Sequence, residues 1–354
     1  LAMVPANLYP TSTFQMSKSR WKFWIDVGGT FTDCIAVDPD GNIKQTKILS
    51  SGTFKGQIAS GSNESAIVDS NFRHKDPDGF FKGFELRLLG DDLAELAEHR
   101  STVEAFDPST GSLLLSNALS LVPKEGQVYE LACSQPAPVI AIRYLMGLGL
   151  EDSIGPIELR LGSTRGTNAL LEKQGASTAF ITTKGFGDLL EIGYQNRPKL
   201  FELNIRKAKP LHEMVFEVDE RIDAYGNLVQ PLDQPAMVEG LKQLKAQGIE
   251  SLAVCLMNSY MNPVHEDLVE LAAKQIGFHH ISISSRISRL QKMIPRASTT
   301  LTDAYLNPVI RDYVNDILAY LPEADFKMLT STGTLTEARN FPGKDRILSG
   351  PAGG

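Results

Sequence analysis

The chain is 354 residues long, 42% hydrophobic and 22% charged, with a net charge of −7 at neutral pH. That length gives room for about two domains and a full core, and the composition is that of an ordinary globular protein. The acidic balance, without any long basic block, argues against nucleic acid and anionic membrane surfaces as partners, and no run approaches the ~18 apolar residues needed to cross a bilayer.

Residues 1–20 are polar and aperiodic, begin without Met and carry no basic-then-apolar signal pattern. They read as a leader or added tail outside the fold, and the protein as cytoplasmic. Cys34, Cys133 and Cys255 are odd in number and far apart, each in or beside an apolar run. They read as free buried thiols.

Phe23-Trp24-Ile25 and Cys34-Ile35-Ala36-Val37 are strand-like runs either side of Asp26-Val27-Gly28-Gly29-Thr30-Phe31-Thr32-Asp33. The pattern predicts a β-hairpin with glycines at its tip. Glycine lacks a Cβ and adopts positive φ readily, so the N–H groups of Gly28, Gly29 and Thr30 can approach a phosphate closely. Asp26 at the strand end is placed to hold a hydrated divalent cation, and the hydroxyls of Thr30 and Thr32 to donate to phosphate oxygens. Charge-assisted hydrogen bonds contribute roughly 1.5–3 kcal/mol each, so three or four would hold a nucleotide tail. A plain Gly-Gly turn is the competing reading; the flanking Thr30, Thr32 and Asp33 weigh against it.

A turn at Asp38-Pro39-Asp40-Gly41 leads into a third strand over 42–48. Residues 51–155 are rich in Gly, Ser, Asp and Pro, with short alternating stretches at 84–89, 102–106, 113–115 and 128–132. They predict a β-rich insertion whose one interior helix covers 91–98. Phe72 and Phe80-Phe81 read as its core.

From Ile157 strands over 159–161, 178–182, 251–257, 281–283 and 327–329 alternate with helices. These helices cover 168–174, 188–192, the stretch holding Met237, Leu241 and Leu244, 262–277, and 299–320. Gly175 is the expected C-terminal cap of the first, and Asn262-Pro263 the N-cap and first residue of the fourth. Asn307-Pro308 either kinks the last or starts a second helix. Such alternation predicts an α/β layered domain.

Leu348-Ser349-Gly350-Pro351-Ala352-Gly353-Gly354 follows a strand-like 346–348 and reads as a second glycine turn, the chain being part of something longer. With Gly28-Gly29 it would form the two jaws of a phosphate clamp. No Walker signature and no G-x-G-x-x-G opening a helix after a strand occurs. His74, His265, His279 and His280 show no metal spacing.

The runs Ile25 to Asp33, Gly162-Ser163-Thr164-Arg165-Gly166-Thr167-Asn168-Ala169-Leu170-Leu171-Glu172, Thr182 to Asp188, Asn196-Arg197-Pro198, Asn258-Ser259-Tyr260 and Leu348 to Gly354 occur in this order. Together they resemble the hydantoinase/oxoprolinase family over residues 22 to about 50 and 157–354. Residues 51–155 fall outside the resemblance. Residues 251–320 are most similar to its ATP-dependent 5-oxoprolinases, with N-methylhydantoinase and acetone carboxylase subunits next.

The resemblance implies the N-terminal part of an actin-like ATPase (ribonuclease H-like) α/β fold with a β-rich insertion. Residues 21–50 and 156–295 would form its N-terminal domain, 51–155 the insertion, and 296–354 the truncated start of a second domain. It implies ATP and Mg²⁺ as cofactors and a small cyclic amide as substrate. The implied reaction is the opening of 5-oxoproline to glutamate after phosphorylation of the amide carbonyl, a task that asks for positioning and charge neutralisation. The implied partners are the remainder of the ATPase subunit, a second B-type subunit or domain, and further copies of the chain in a homo-oligomer. The isolated chain is expected to be weak or inactive, because in actin-like folds the adenosine pocket comes largely from chain beyond the second phosphate turn.

Carried over by motif, Asp26, Thr164 and Asn168 are the implied catalytic residues, and Asp26 and Asp33 the metal-holding ones. Gly28, Gly29, Thr30, Thr32, Ser349, Gly350, Gly353 and Gly354 would bind phosphates; Ser163, Arg165, Thr167, Asn196 and Arg197 would bind substrate. Thr167 and Asn168 read equally as helix caps, Arg165 as the partner of a surface acid, and Asn196-Arg197 as part of a structural ion pair. Arg165 and Ser331-Thr332-Gly333-Thr334 depart from the family's usual pattern. A small-molecule kinase using the same clamp, and a non-catalytic assembly module contacting through 51–155, are the competing functions.

Overall fold

The computed structural model describes residues 20–69, 71, 75–90, 92–93, 95–195, 201 and 208–340. Three strands open the fold, β1 (Lys22–Val27), β2 (Phe31–Val37) and β3 (Ile43–Leu49). Their alternation buries Phe23, Ile25, Val27, Cys34 and Ala36 on one face and leaves Trp24, Phe31 and Ile35 exposed on the other. β1 and β2 pair antiparallel with Asp26 opposite Asp33. The expected hairpin is present, closed by the Gly28 N–H donating to the Phe31 carbonyl at 2.9 Å.

Strands β4 (Phe54–Gln57), β5 (Ala66–Val68), β6 (Glu85–Leu89), β7 (Glu95–Asp107), β8 (Ser112–Leu115) and β9 (Val128–Ala132) form a separate sheet in the order β4-β9-β6-β7-β8-β5. Residues 95–98 begin β7 and are not the end of a helix over 91–98, because ladder pairing with β6 overrides a short, weak helical pattern. Phe80, Phe81 and Phe84 are fully buried beneath this sheet, with Phe80 and Phe81 edge-to-face at 5.0 Å. Phe72 and His74 lie outside the described residues.

Next comes α1 (Ala137–Met146), which ends on Gly147 at φ 69°. The sequence reading missed it, since nearly every residue of Ala-Pro-Val-Ile-Ala-Ile-Arg-Tyr-Leu-Met is buried and no polar stripe marks a helical period. It packs across β2 and β3. β10 (Glu158–Ser163) then runs parallel to β1, setting Gly162 beside Asp26 and Ser163 beside Val27.

The helix expected over 168–174 is α2 (Arg165–Leu171), shifted three residues earlier. Its end is turned by Lys173 at φ 57° and not by Gly175. Gly175 serves packing instead, for a Cβ there would lie 2.1 Å from a carbon of the Tyr305 ring.

A second, all-parallel sheet follows. Its strands are β11 (Thr178–Thr183), β12 (Met214–Val218), β15 (Ser251–Cys255) and β16 (His280–Ile283), in the order β12-β11-β15-β16. Between them lie α3 (Leu189–Ile192), the hairpin β13 (Arg221–Ile222) and β14 (Leu228–Gln230), α4 (Gln234–Ala246) and α5 (Val264–Ile276). Asp233 caps α4 by accepting from the Ala236 N–H at 3.1 Å, and Gly277 ends α5 at φ 99°. The N-cap of α5 is Pro263 rather than Asn262, whose Oδ1 accepts from the Val264 N–H at 3.2 Å.

After α6 (Ser284–Ile287) the helix α7 (Met293–Tyr320) runs unbroken for 28 residues. Its first half packs Ala297, Leu301 and Ala304 on Phe180, Ala253 and Cys255 of the parallel sheet, and its second half packs Ile310, Tyr313, Val314 and Ile317 into the core of the first sheet. Pro308 starts no second helix. The Ala304 carbonyl, which proline cannot serve, accepts the Ser251 hydroxyl at 2.7 Å, and the Tyr305 carbonyl accepts the Ala176 N–H at 3.0 Å.

At the start of α7 the fully buried Arg296 donates to Ser259 and Ser284 hydroxyls and to the Leu256 carbonyl. Buried Glu266 accepts from the Leu256 N–H, the Ser284 hydroxyl and the Ser285 N–H at 3.0, 2.6 and 3.0 Å. Asn258-Ser259-Tyr260 thus sits in a structural knot at the strand ends. β17 (Asp325–Leu329) and β18 (Leu335–Glu337) complete the first sheet as β18-β17-β10-β1-β2-β3. No helix among the described residues is long and apolar enough to cross a membrane.

Candidate functional site

The β1–β2 tip is braced from behind and open in front. The Ser50 hydroxyl donates to the Gly28 carbonyl at 2.8 Å, so the Thr32 hydroxyl must be the donor in its 3.0 Å bond to Ser50. Ser50 also donates its N–H to the Thr30 carbonyl at 2.9 Å, and Thr164 gives its N–H and hydroxyl to the Val27 carbonyl at 2.9 and 3.2 Å. Each such bond contributes about 1 kcal/mol net. Thr32 is fully buried in this brace, which corrects the expectation that it faces a phosphate.

The tip's glycines are required for space and not for handedness, since neither Gly28 nor Gly29 adopts positive φ. A Cβ on Gly28 would lie 3.0 Å from the Phe31 carbonyl oxygen, and one on Gly29 would touch the Asn168 amide at 3.4 Å. Gly28's own N–H is spent within the turn. The N–H groups of exposed Gly29 and Thr30 take no partner among the described residues.

Two hollows flank the tip. The larger, about 680 Å³, is lined by Gly28, Gly29, Thr164, Arg165, Asn168 and, from α7, Tyr313. The smaller, about 390 Å³, lies on the other face of the sheet and is lined by Trp24, Asp26, Asp33, Arg160, Gly162 and Gly333. The residues expected to form one site therefore divide between the two hollows, Asp26 and Asp33 lining the smaller and Gly28, Gly29, Thr164, Arg165 and Asn168 the larger.

Asp26 is half-buried, and its Oδ1 is shielded from solvent with no hydrogen-bond partner. Burial first, and then the facing Asp33, pushes its carboxyl above the usual range. Asp33 is exposed and bonded to Lys47 at 3.0 and 3.1 Å. Among the described residues no group of three or more His, Cys, Asp or Glu is placed to hold a metal. His265 is committed elsewhere, its Nδ1 lying 2.7 Å from buried Glu220.

Ser163 is buried, and its hydroxyl accepts the Arg165 N–H at 3.1 Å just ahead of α2, whose N-cap is Thr164. Thr167 and Asn168 lie inside α2, so neither is its cap. Asn168 lines the larger hollow, whereas Thr167 does not. Arg165 holds its guanidinium carbon 4.4 Å from the Tyr313 ring centre and, among the described residues, forms no ion pair with a surface acid. Asn196, Arg197, Ser349, Gly350, Gly353 and Gly354 lie outside the described residues. Ser50 and Tyr313 escaped the sequence reading; one is a lone serine after a strand, the other an aromatic in a helix, and only the fold brings them to the tip.

The sequence profile of the hydantoinase/oxoprolinase N-terminal region matches residues 22–73 and 119–277, and that of hydantoinase/oxoprolinase matches 296–354. The chain belongs to the hydantoinase/oxoprolinase family. It is similar to the 5-oxoprolinase of Saccharomyces cerevisiae, with 34% identity over 369 aligned residues that cover 96% of this chain and 24% of the yeast protein. In fold it matches a nucleotide-free acetone carboxylase, with a TM-score of 0.59 at 17% identity, and the ATP-dependent caprolactamase from Pseudomonas jessenii, with a TM-score of 0.58 at 19% identity. Each match covers 94% of this chain and 39% of the solved one. The chain thus spans about a quarter of the yeast relative.

Proposed function

We propose that this chain is part of the ATPase unit of an ATP-dependent cyclic amide hydrolase that opens 5-oxoproline to glutamate. The observation that carries the reading is the hairpin tip, where the N–H groups of Gly29 and Thr30 take no partner among the described residues, and where the sheet's other face carries a carboxylate with a shielded oxygen that takes none among them either. The strand order β3-β2-β1-β10-β17, antiparallel and then parallel, supports an actin-like, ribonuclease H-like frame for that tip.

The residues fit a hydrated Mg²⁺, which takes one or two carboxylates together with phosphate oxygens and water; Asp26 has an uncommitted oxygen and Asp33 is exposed beside it. Bound there, the ion would offset charge on the nucleotide phosphates. Gly29 and Thr30 hold phosphate oxygens through their N–H groups, and Ser50, Thr32 and Thr164 keep the tip rigid while they do so. Thr164 and Asn168 stand on the far side of the tip to orient the amide.

The amide oxygen forms a bond to the γ-phosphorus as the bond to ADP breaks. Water then adds to the carbon, the ring C–N bond breaks with the nitrogen taking a proton, and a second water releases phosphate and leaves the carboxylate. Within the whole protein the unit works in the cytoplasm with the rest of its subunit and a second B-type subunit or domain, as a homo-oligomer.

The test is to incubate the full-length protein with ATP and 5-oxoproline and follow glutamate and ADP by mass spectrometry. Equal yields of the two are expected. ADP without glutamate, as a kinase acting on another substrate would give, defeats the reading.

A further inference from the structure

Tyr313 is 5% exposed, its hydroxyl has no hydrogen-bond partner among the described residues, and it lines the larger hollow. A buried phenol left unpaired carries a desolvation penalty that a ligand's hydrogen bond would remove. Arg165 holds its guanidinium carbon 4.4 Å from the centre of the same ring, and the group makes no ion pair or hydrogen bond among the described residues. A cation–π contact uses none of the guanidinium's N–H donors, so the fork that grips a carboxylate through two parallel hydrogen bonds is still at hand.

The rest of the lining includes the amides of Asn168 and Gln174 and the hydroxyl of Ser134, whereas the Gln135 amide is spent on the Leu150 carbonyl and Arg143. Two acids, Glu172 and Asp316, complete it, so the hollow is not a general anion trap. Arg165, its one cation among the described residues, suits a ligand with a single carboxylate, and its amides suit a ligand with both an N–H and a carbonyl. Its volume of about 680 Å³ exceeds what one small cyclic amide fills, leaving room for phosphate at the Gly29 end.

We propose that the hollow beneath the hairpin tip is the substrate pocket, in which the guanidinium fork of Arg165 binds the carboxylate of a carboxyl-bearing cyclic amide and the Tyr313 hydroxyl completes the contact. The pocket rests on the proposed function and adds to it the reason why a lactam with a carboxylate is preferred to one without.

The experiment is equilibrium dialysis of radiolabelled 5-oxoproline against the full-length protein with a non-hydrolysable ATP analogue, using wild type, Arg165→Gln, Arg165→Lys and Tyr313→Phe. Uncharged 2-pyrrolidinone is the competitor. Arg165→Gln is expected to weaken 5-oxoproline binding about tenfold to a hundredfold while leaving binding of the ATP analogue and of 2-pyrrolidinone unchanged. Arg165→Lys should fall between, and Tyr313→Phe, which keeps the aromatic ring, should weaken binding severalfold.

Equal binding by wild type and Arg165→Gln overturns the pocket, as does absence of binding by wild type. Parallel loss of ATP analogue binding or of thermal stability in Arg165→Gln also overturns it, since that is the mark of a merely structural residue. Binding that depends on Arg165 without glutamate formation upholds the pocket and defeats only the proposed reaction.

Discussion

Asp26 shows stability and chemistry opposed in one side chain. Its raised carboxyl means that ionisation costs folding free energy. The cost is absent below the unfolded carboxylate value of about pH 4 and is felt in full once pH exceeds the higher folded value. Asp26→Asn should therefore raise Tm at pH 7, with the gain vanishing as pH falls below about 4 in a calorimetric series. The same change in the full-length protein should cut turnover about a hundredfold, as lost electrostatic contacts do in other active sites. The cysteines give a second prediction at this scale. Burial pushes Cys34 and Cys255 up to about 12, while half-buried Cys133 lies on the wall of the larger hollow. Ellman's reagent at pH 8 should titrate only Cys133 in the native chain and all three thiols in denaturant.

Among the elements, α7 shows how a rule-breaking residue is accommodated. Pro308 should weaken a helix, yet Ser251 and Ala176 take up the carbonyls around it. Ser251→Ala leaves the Ala304 carbonyl buried without that donor and should cost about 1–3 kcal/mol by urea unfolding. The sequence allowed either a kink or a new helix at Asn307-Pro308, because the decisive partners lie 53 residues and more away. Elements with strong local signals were legible: the hairpin through its alternation and Gly-Gly tip, α4 through Met237, Leu241 and Leu244, and α5 through its capping glycine at 277. Those decided by burial were not, since α1 has no polar stripe and β7 owes its first turn of chain to β6. The site was half legible for the same reason. Residues within one motif were found, but the parting of Asp26 and Gly28 between two hollows is a tertiary fact, and so is the arrival of Tyr313.

Among the described residues one core joins the mixed sheet to the sheet of residues 54–132, others lie about the parallel sheet, and α7 contributes to both regions. Thermal unfolding followed by far-ultraviolet dichroism and by the fluorescence of Trp21 and Trp24, which report on the first sheet alone, should give coincident transitions. Two separate midpoints would show that the cores melt independently. The first sheet keeps one face uncovered among the described residues, with Lys47 over Phe31 and Arg160 over Trp24 shading the apolar rings. The shared helix also bears on genetics. Residues 293–320 are mortar for both halves, so a chimera that trades either half with a cousin gene must inherit the rod and its two seats from a single parent, or one half loses its footing.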